Sequence, residues 1–394
     1  MTVRMLVRDF SGAFNSILMM THSKMRMQDL RIAFLALQAA NALCESGSAP
    51  LGGSEAQVWQ TARLLASRLG CRTRLICLAP RDGGPAASGL ETREGVEVDM
   101  VKRAATAGGT LWRVWWAMGA FGPDAIVQRA WGLETWLGAR YARRAGARFI
   151  YMVAHEEDTR PPAWRRFHWR RALYARGLRA ADRIIAQTQE QIEALRRHWG
   201  REAVLIRSLQ PPPAGAPLPD KRGVLWVGRA VGFKRPERFL DVAERLPQLP
   251  FVMVMNATHE RDYSQRMAAR ARRLPNMTFI DRVPYDRIMD YFERARLFIG
   301  TSAAEGFPNT YLQAFRAWTP VLSLSVDPDR IIQDRGLGFV AGNDIEALIA
   351  EVARRYDDAQ WRLEAGRRAA AYLAEHHDPE RIAEQWRRLL EGLR

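Results

Sequence analysis

The sequence predicts an α/β protein made of two doubly wound, Rossmann-like domains that face each other across a cleft. Short apolar segments alternate with helical patterns along the chain, which is typical of βαβ units in parallel sheets. The 394 residues are enough for two domains of roughly 150 to 200 residues each. The proline-dense stretch from Gln210 to Pro219 is expected to be a stiff linker between them.

These patterns divide the chain into five parts. They are an irregular extension at 1–30, a first domain at 31–207, a proline-rich linker at 208–222, a second domain at 223–378 and a C-terminal helix at 379–394. The extension lacks a clear periodicity, and Met25 or Met27 is an alternative start of the chain. Whether the C-terminal helices pack back on the first domain is left open by the sequence.

Charge and cysteine content restrict the class of protein. The formal net charge of +16 favours anionic partners such as phosphorylated substrates, lipid headgroups or nucleic acid, although arginine could also merely coat a solvated surface. Nucleic acid is disfavoured because no helix-turn-helix pattern or aromatic single-strand platform is present. Cys44, Cys71 and Cys77 show no CxxC spacing, which favours the reducing cytoplasm. No apolar run reaches the ~18 residues of a membrane span.

One segment combines positive charge with aromatic side chains. Residues 163–179 are AWRRFHWRRALYARGLR, and such a segment can bind anionic lipid headgroups. Its arginines are spread around most of a helical circumference, so the amphipathic separation is poor. The segment therefore predicts either a peripheral site on the inner face of the membrane or a channel wall for an acidic acceptor.

The segment around Glu305 gives the strongest indication of a ligand site. Leu297 to Gly300 is an apolar strand, the polar loop TSAAEGF follows, and Pro308 suits the first turn of a helix. Ligands of parallel sheets lie beyond the carboxyl ends of the strands, and a helix N-terminus there attracts an anion. We therefore expect the backbone amides of Asn309 and Thr310 to face an anionic ligand.

A pair of cations follows the first strand of the second predicted domain. Arg229 comes directly after the strand GVLWVG, and Lys234 precedes a helix that begins near Pro236. A guanidinium can bind a diphosphate through two hydrogen bonds, and an ammonium adds a point charge. The pair predicts a diphosphate site, with an ordinary surface pair as the alternative.

Two further candidates lie at strand ends of the first predicted domain. Gly52 and Gly53 separate the first strand from its helix, where glycine lets the backbone approach a ligand phosphate, although a plain tight turn would have the same pattern. His155 ends a later strand and is followed by three acidic residues. It either acts at a site or is a hydrogen-bonded loop residue.

Two of these segments resemble signatures of a known family. EGFPNTYLQAFRAWTPV and VGRAVGFKRPERFLDVAERL resemble the donor-side patterns of the family four glycosyltransferases (glycosyl transferases group 1), a large retaining group with the GT-B fold. The resemblance implies a retaining enzyme of the hexosyltransferase type. Its donor would be a nucleotide-sugar, with UDP or GDP as the nucleotide, and its acceptor a glycan, a lipid-linked group or a small molecule. It implies no metal ion or other cofactor.

The resemblance also implies roles for individual residues. Glu305 and His155 would be catalytic, with Glu305 against the transferred sugar. The donor diphosphate would be bound by Arg229, Lys234, Gly52, Gly53, Asn309 and Thr310. The donor sugar and nucleoside would be bound by Glu305, Gly306, Phe307, Pro308 and Gln313.

Gln313 departs from the family pattern, which has glutamate here to accept hydrogen bonds from the ribose hydroxyls. Glutamine can still accept but without charge assistance, which predicts weaker or altered nucleotide binding. Glutamine at this position leaves open the alternative that the protein is a catalytically silent sugar-nucleotide or glycan-binding protein. A sugar-nucleotide epimerase is a further alternative.

Asp327-Pro328-Asp329 resembles a metal-binding DxD string of another glycosyltransferase fold, but no other metal-ligand cluster accompanies it. His376-His377 is expected to form an exposed turn.

Overall fold

The fold is that of a computed structural model, which describes residues 26–39, 53–80, 88–160, 168–213, 215–258, 260–284 and 287–393. Gly52, Cys44, most of the extension at 1–30 and the start of the basic segment at 163–179 lie outside the described residues.

The first domain is built on an eight-stranded sheet of order β3-β4-β2-β1-β5-β6-β7-β8. All neighbouring strands are parallel except β3, which is antiparallel to β4. The strands are β1 (Arg31–Leu35), β2 (Arg72–Leu78), β3 (Gly89–Arg93), β4 (Val96–Val101), β5 (Ala125–Arg129), β6 (Arg148–Met152), β7 (Arg183–Ala186) and β8 (Val204–Leu205). The helices are α1 (Gly53–Leu69), α2 (Ala107–Phe121), α3 (Leu133–Ala145), α4 (His168–Arg179) and α5 (Gln189–Trp199).

The second domain is built on a six-stranded parallel sheet of order β11-β10-β9-β12-β13-β14. Its strands are β9 (Val224–Arg229), β10 (Phe251–Asn256), β11 (Met277–Ile280), β12 (Leu297–Gly300), β13 (Val321–Ser323) and β14 (Gly338–Val340). Its helices are α6 (Pro236–Arg245), α7 (Arg261–Arg273), α8 (Ile288–Arg294), α9 (Asn309–Arg316), α10 (Ile331–Asp334), α11 (Ile345–Arg355) and α12 (Ala359–His376), and α13 (Pro379–Glu391) ends the chain.

Each sheet is covered by helices on both faces. Along β1, Ile32 and Phe34 join the core under α1, whereas Ala33 and Leu35 join the core under α2, α3 and α4. This alternation is the period of two of a strand that is buried on both sides. The second sheet follows the same rule, since Val224 and its neighbour Leu225 enter different cores. The prediction of two doubly wound domains is confirmed.

The C-terminal helix packs against the first domain, which answers the question that the sequence left open. Ile382, Trp386 and Leu390 of α13 are buried in the core that contains α1. The chain therefore crosses between the domains twice, at the linker and again just after α12. No helix among the described ranges is both long enough and apolar enough to cross a bilayer.

The prediction of an exposed turn at His376-His377 was wrong for His377, whose ring is fully buried at the second crossing. Its Nδ1 lies 2.6 Å from the Ser208 carbonyl oxygen, and the Gln210 amide donates to the His377 carbonyl at 3.1 Å. Rings of Phe307 and Tyr372 pack on it. Burial lowers the pKa of His377 to about 3, so the ring is neutral and holds the two crossings together.

Candidate active site

A cleft of about 950 Å3 lies between the carboxyl ends of the two sheets. Its lining includes ten of the residues predicted from the sequence: Gly53, His155, Arg229, Lys234, Glu305, Phe307, Pro308, Asn309, Thr310 and Gln313. The topology explains why segments far apart in sequence meet here, because parallel strands end at one edge of each sheet. The roles of these residues stay predictions.

The loops that carry Lys234 and Glu305 are joined by a set of hydrogen bonds. The Ala303 amide donates to the Phe233 carbonyl at 2.8 Å, and the Thr301 hydroxyl donates to the Lys234 carbonyl at 2.7 Å. The ammonium of Lys234 pairs with the carboxylate of Glu305, and both side chains are largely buried. The two sequence segments therefore form one rigid unit on the second-domain wall.

Glu305 is held as an anion at the cleft. Burial by itself raises the pKa of its carboxyl group, but the charges of Lys234 and His155 and hydrogen bonds from Lys234 and Ser302 outweigh that effect and lower it. The Ser302 hydroxyl donates to the carboxylate at 2.7 Å. A carboxylate in this setting can accept hydrogen bonds from sugar hydroxyls or stabilise positive charge.

The same wall offers positive charge to an anion. Arg229 is the last residue of β9, and its side chain is exposed. This side chain lines the cleft and has no hydrogen-bonding or ionic partner among the described residues. The backbone amides at the start of α9 have no side-chain cap, which leaves them available to a ligand. The Asn309 side chain is otherwise engaged: it donates to the Gly53 carbonyl at 2.7 Å and accepts from Gln57 at 3.2 Å. Asn309 therefore connects the two walls.

Gly306 lies behind this wall and contacts the first domain. A Cβ atom at this position would stand 2.4 Å from the Ala154 carbonyl oxygen and 2.7 Å from Nε2 of Gln191. Such distances are well below van der Waals contact, so only glycine allows the domains to approach this closely. Gly306 was predicted to bind the donor sugar or nucleoside, and in this structure its backbone packs at the domain contact.

His155 lies on the opposite wall and is positioned by its own loop. The carboxylate of Asp158 accepts hydrogen bonds from the Ala154 amide at 2.8 Å and the His155 amide at 3.0 Å. Burial raises the pKa of Asp158. The His155 ring stands edge-on to Phe233 with the ring centroids 5.8 Å apart. His155 therefore contacts the second domain near the Lys234 loop.

Arg129 was missed in the sequence analysis. It ends β5, lines the cleft and is only 8% exposed. Its Nε has no hydrogen-bond partner in the described part of the chain. Burial lowers its pKa to about 10, against the attraction of Asp158 and Glu55. Its position directly after a strand of a parallel sheet was the signal that could have identified it.

Trp131 and Glu134 accompany Arg129 on the first-domain wall. Burial raises the pKa of Glu134, while a hydrogen bond from its own backbone and the charge of Arg170 act in the opposite direction. An aromatic ring, a guanidinium and a carboxyl group can together bind a polar ring that carries an anionic group.

The Asp327-Pro328-Asp329 string is used in structural hydrogen bonds. Asp327 accepts from the Ile332 amide at 2.8 Å. Asp329 accepts from the Gln189 amide at 2.8 Å and pairs with Arg207 of the first domain at 3.2 Å. The DxD residues therefore cap α10 and connect the domains, and whether the site needs a metal stays untested.

Family models match most of the chain. The model described as Glycosyltransferase Family 4 matches residues 51–208, and the one described as Glycosyl transferases group 1 matches residues 221–358. The D-inositol 3-phosphate glycosyltransferase of Streptomyces avermitilis is 27% identical over 223 residues, which are 49% of this chain and 48% of that protein. The chain thus spans about half the length of this curated relative.

Solved structures share the fold. Sucrose-phosphate synthase from Thermosynechococcus elongatus superposes with a TM-score of 0.75 at 17% identity and covers 92% of this chain and 99% of its own. An alpha,alpha-trehalose-phosphate synthase (UDP-forming) from Burkholderia xenovorans, in complex with glucose-6-phosphate, has a TM-score of 0.67 at 14% identity and covers 92% and 100%. At these identities the likeness concerns the fold alone. With both family models matched in order on a GT-B fold, the chain belongs to the family four glycosyltransferases of glycosyl transferases group 1.

Proposed function

We propose that the protein transfers a sugar from a nucleotide-sugar to a hydroxyl group of an acceptor. The buried Lys234–Glu305 pair at the cleft carries this proposal. It sets a cation beside the expected position of the donor diphosphate and a carboxylate beside that of the sugar. Fixed charges of this kind stabilise a transition state more than a ground state because they need no rearrangement as charge develops.

The bond that breaks joins the sugar's anomeric carbon to the diphosphate oxygen. As it breaks, the sugar gains positive charge and the diphosphate gains negative charge. Arg229, Lys234 and the amides at the start of α9 receive the diphosphate, while the carboxylate of Glu305 faces the sugar. The acceptor hydroxyl forms the new bond to the anomeric carbon, and its proton leaves with the nucleoside diphosphate.

Retention of the anomeric configuration and independence of a metal ion are parts of the same proposal. Family membership supports retention. Independence of metal is supported by the cations and free amides of the second-domain wall, which provide positive charge where a metal would otherwise lie. A time course by NMR would report the anomeric configuration of the product, and full turnover after treatment with a chelator is the expected result.

The acceptor carries an anionic group in our proposal. The Nε of buried Arg129, which has no hydrogen-bond partner among the residues described, supports this, since a buried guanidinium is costly until an anion pairs with it. Trp131 and Glu134 beside it suit a sugar or cyclitol ring. The names of the relatives agree, because inositol 3-phosphate and sucrose phosphate are phosphate esters. The phosphate could belong to a small molecule or to a lipid-linked acceptor.

The deciding experiment has two stages. Thermal shifts with UDP-, GDP-, ADP- and TDP-sugars identify the donor, because a ligand that binds the native state raises its Tm. The donor is then incubated with phosphorylated and unphosphorylated acceptors, and the nucleoside diphosphate and glycoside are quantified. Donor binding without turnover on any acceptor would favour a silent sugar-nucleotide binder, and conversion of the donor to its epimer without acceptor would favour an epimerase.

A further inference from the structure

A groove of about 550 Å3 lies on the outer face of the first domain, away from the cleft, between α2 and α3. Trp112 and Trp116 form its rim, are 61% and 59% exposed, and have ring centroids 5.6 Å apart. Trp115 stands edge-on to Tyr141 at its base. Two large aromatic side chains left in water one helical turn apart indicate a surface that binds something.

The helices around the groove are strongly cationic. α2, α3 and α4 carry one, three and four arginines, and their one acidic residue, Glu134, is a half-buried residue of the cleft wall. Arg144 lines the groove together with the tryptophans, and exposed Arg140 lies one turn before it. On neighbouring α4, Trp169 is 55% exposed beneath the guanidinium of Arg170.

Helices α13 and α7 each lack at least one of the two features of this face, net positive charge and exposed tryptophan. Helix α13 has three arginines and three glutamates, and Arg387 and Arg388 both pair with Glu384. Helix α7 is rich in arginine, with five arginines and one aspartate, but none of its side chains is among the large apolar ones exposed in the described residues. Net positive charge and exposed tryptophan therefore coincide at α2–α4. A general arginine coating would not produce this coincidence.

We propose that this aromatic-basic face, defined by Trp112, Trp116, Trp169, Arg140 and Arg144, binds the surface of an anionic lipid bilayer. Tryptophan is favoured at the headgroup level because its ring is amphipathic, and arginine is attracted to anionic headgroups. None of the residues that line the groove lines the cleft. The proposal extends the basic surface expected at 163–179 to α2 and α3, and it does not depend on the proposed transferase activity.

The test is vesicle flotation of the full chain without any nucleotide-sugar. Vesicles of phosphatidylcholine and phosphatidylglycerol in equal parts are compared with vesicles of phosphatidylcholine alone. We expect the protein to float with the anionic vesicles and to be released by salt. Trp112→Ser/Trp116→Ser and Arg140→Gln/Arg144→Gln should each weaken binding by roughly tenfold.

Matched control variants remove an exposed apolar side chain and two exposed arginines from helices outside the aromatic-basic face. Leu363→Ser replaces another exposed apolar side chain, 57% exposed on α12, and Arg387→Gln/Arg388→Gln removes two exposed charges from α13; both should leave binding unchanged. Equal binding to both vesicle types, or equal losses in the test and control variants, would overturn the proposal. Two other results would also overturn the proposal if the protein did not bind vesicles. One is a dimer in light scattering that the tryptophan variant abolishes, and the other is retention on DNA that this variant abolishes.

Discussion

The two walls of the cleft differ in how their charges are satisfied. On the second-domain wall, Lys234 and Glu305 neutralise each other inside a network of loop hydrogen bonds. On the first-domain wall, Arg129 is buried with an Nε that has no partner among the described residues. Under the proposed function, the buried Lys234–Glu305 pair on the donor side is organised before substrate arrives, whereas buried Arg129 on the acceptor side is paired by the substrate. Preorganisation is worth most where charge develops in the reaction.

The largest expected effect comes from Lys234→Ala. Removing a fixed cation from a developing charge typically raises the barrier by ~3 to 4 kcal/mol, so kcat should fall by roughly 10² to 10³. Glu305 would then be an unpaired buried charge, which typically costs ~3 to 5 kcal/mol of stability. The Tm should therefore fall as well.

The double variant Lys234→Ala/Glu305→Gln separates the two consequences. It leaves no uncompensated charge, so the Tm should recover while transfer stays lost. Steady-state kinetics measure transfer, and thermal unfolding measures the Tm, in both variants. If transfer recovered together with the Tm, the pair would be structural and the donor-side assignment would be wrong.

Arg129→Gln tests the first-domain wall. A lost charge-assisted hydrogen bond typically costs ~1.5 to 3 kcal/mol, so the acceptor KM should rise roughly 10- to 100-fold. The donor Kd should not change. Arg229→Gln is the matched control because it should weaken donor binding and leave the acceptor KM unchanged. If both variants changed the donor Kd and the acceptor KM in the same way, the assignment of the two walls to different substrates would be wrong.

The stability of Arg129→Met gives a second readout. Burial lowers the pKa of Arg129 to about 10, so the guanidinium stays charged at neutral pH but its charge costs the folded chain stability. Replacing it with an apolar side chain should therefore preserve or raise the Tm. A clear fall in Tm would mean that Arg129 supports the fold and is not held ready for an anion.

Gly306→Ala tests the contact between the walls. The added Cβ would lie 2.4 Å from the Ala154 carbonyl oxygen, and overpacking of this kind typically costs ~1 to 3 kcal/mol. We expect the domains to separate, with about a tenfold loss of kcat/KM and a larger radius of gyration by small-angle scattering. Gly232→Ala is the control, since nothing lies within 4 Å of its added Cβ; equal effects would exclude a role for domain approach.

His377 should make the joint between the domains sensitive to acid. Its pKa of about 3 lies below the ordinary 6.5, so between these values the unfolded chain binds the proton and the folded chain does not. Stability must then fall as the pH drops below about 6.5. The Tm of His377→Gln should depend less on pH over that range, whereas exposed His198→Gln should behave as wild type. Parallel pH profiles in all three proteins would contradict this.

The second-domain wall could be predicted from the sequence because its residues follow strands that the apolar pattern identifies. Lys234 and Glu305 were found in this way, but their ion pair depends on the order of β9 and β12 in the sheet, which spacing alone does not determine. Arg129 was missed because the charges that act on it at the cleft, those of Asp158 and Glu55, come from segments that are distant in sequence.

Other omissions have similar causes. α7 was not predicted from the sequence because it is rich in arginine and its buried residues, Ser264, Ala268 and Ala271, are small. α2 was not predicted because it has two exposed tryptophans beside a partly buried one and lacks a polar face. His377 looked exposed because two of the groups that pack on it, the Phe307 ring and the Ser208 carbonyl, come from distant segments.

Gln313→Glu has the smallest expected effect and tests whether the second-domain wall also binds the ribose of the donor. Gln313 lines the cleft one helical turn after Asn309. A carboxylate there would accept charge-assisted hydrogen bonds from the ribose, a gain of ~1 kcal/mol over the amide. We expect the nucleotide Kd to fall about fivefold, with kcat unchanged because the ribose stays bound throughout the reaction. Titration calorimetry with the nucleoside diphosphate checks this, and Gln313→Ala is the control that should weaken binding. An unchanged Kd in both variants would place the nucleoside away from α9 and restrict the donor-side wall to Arg229, Lys234 and Glu305.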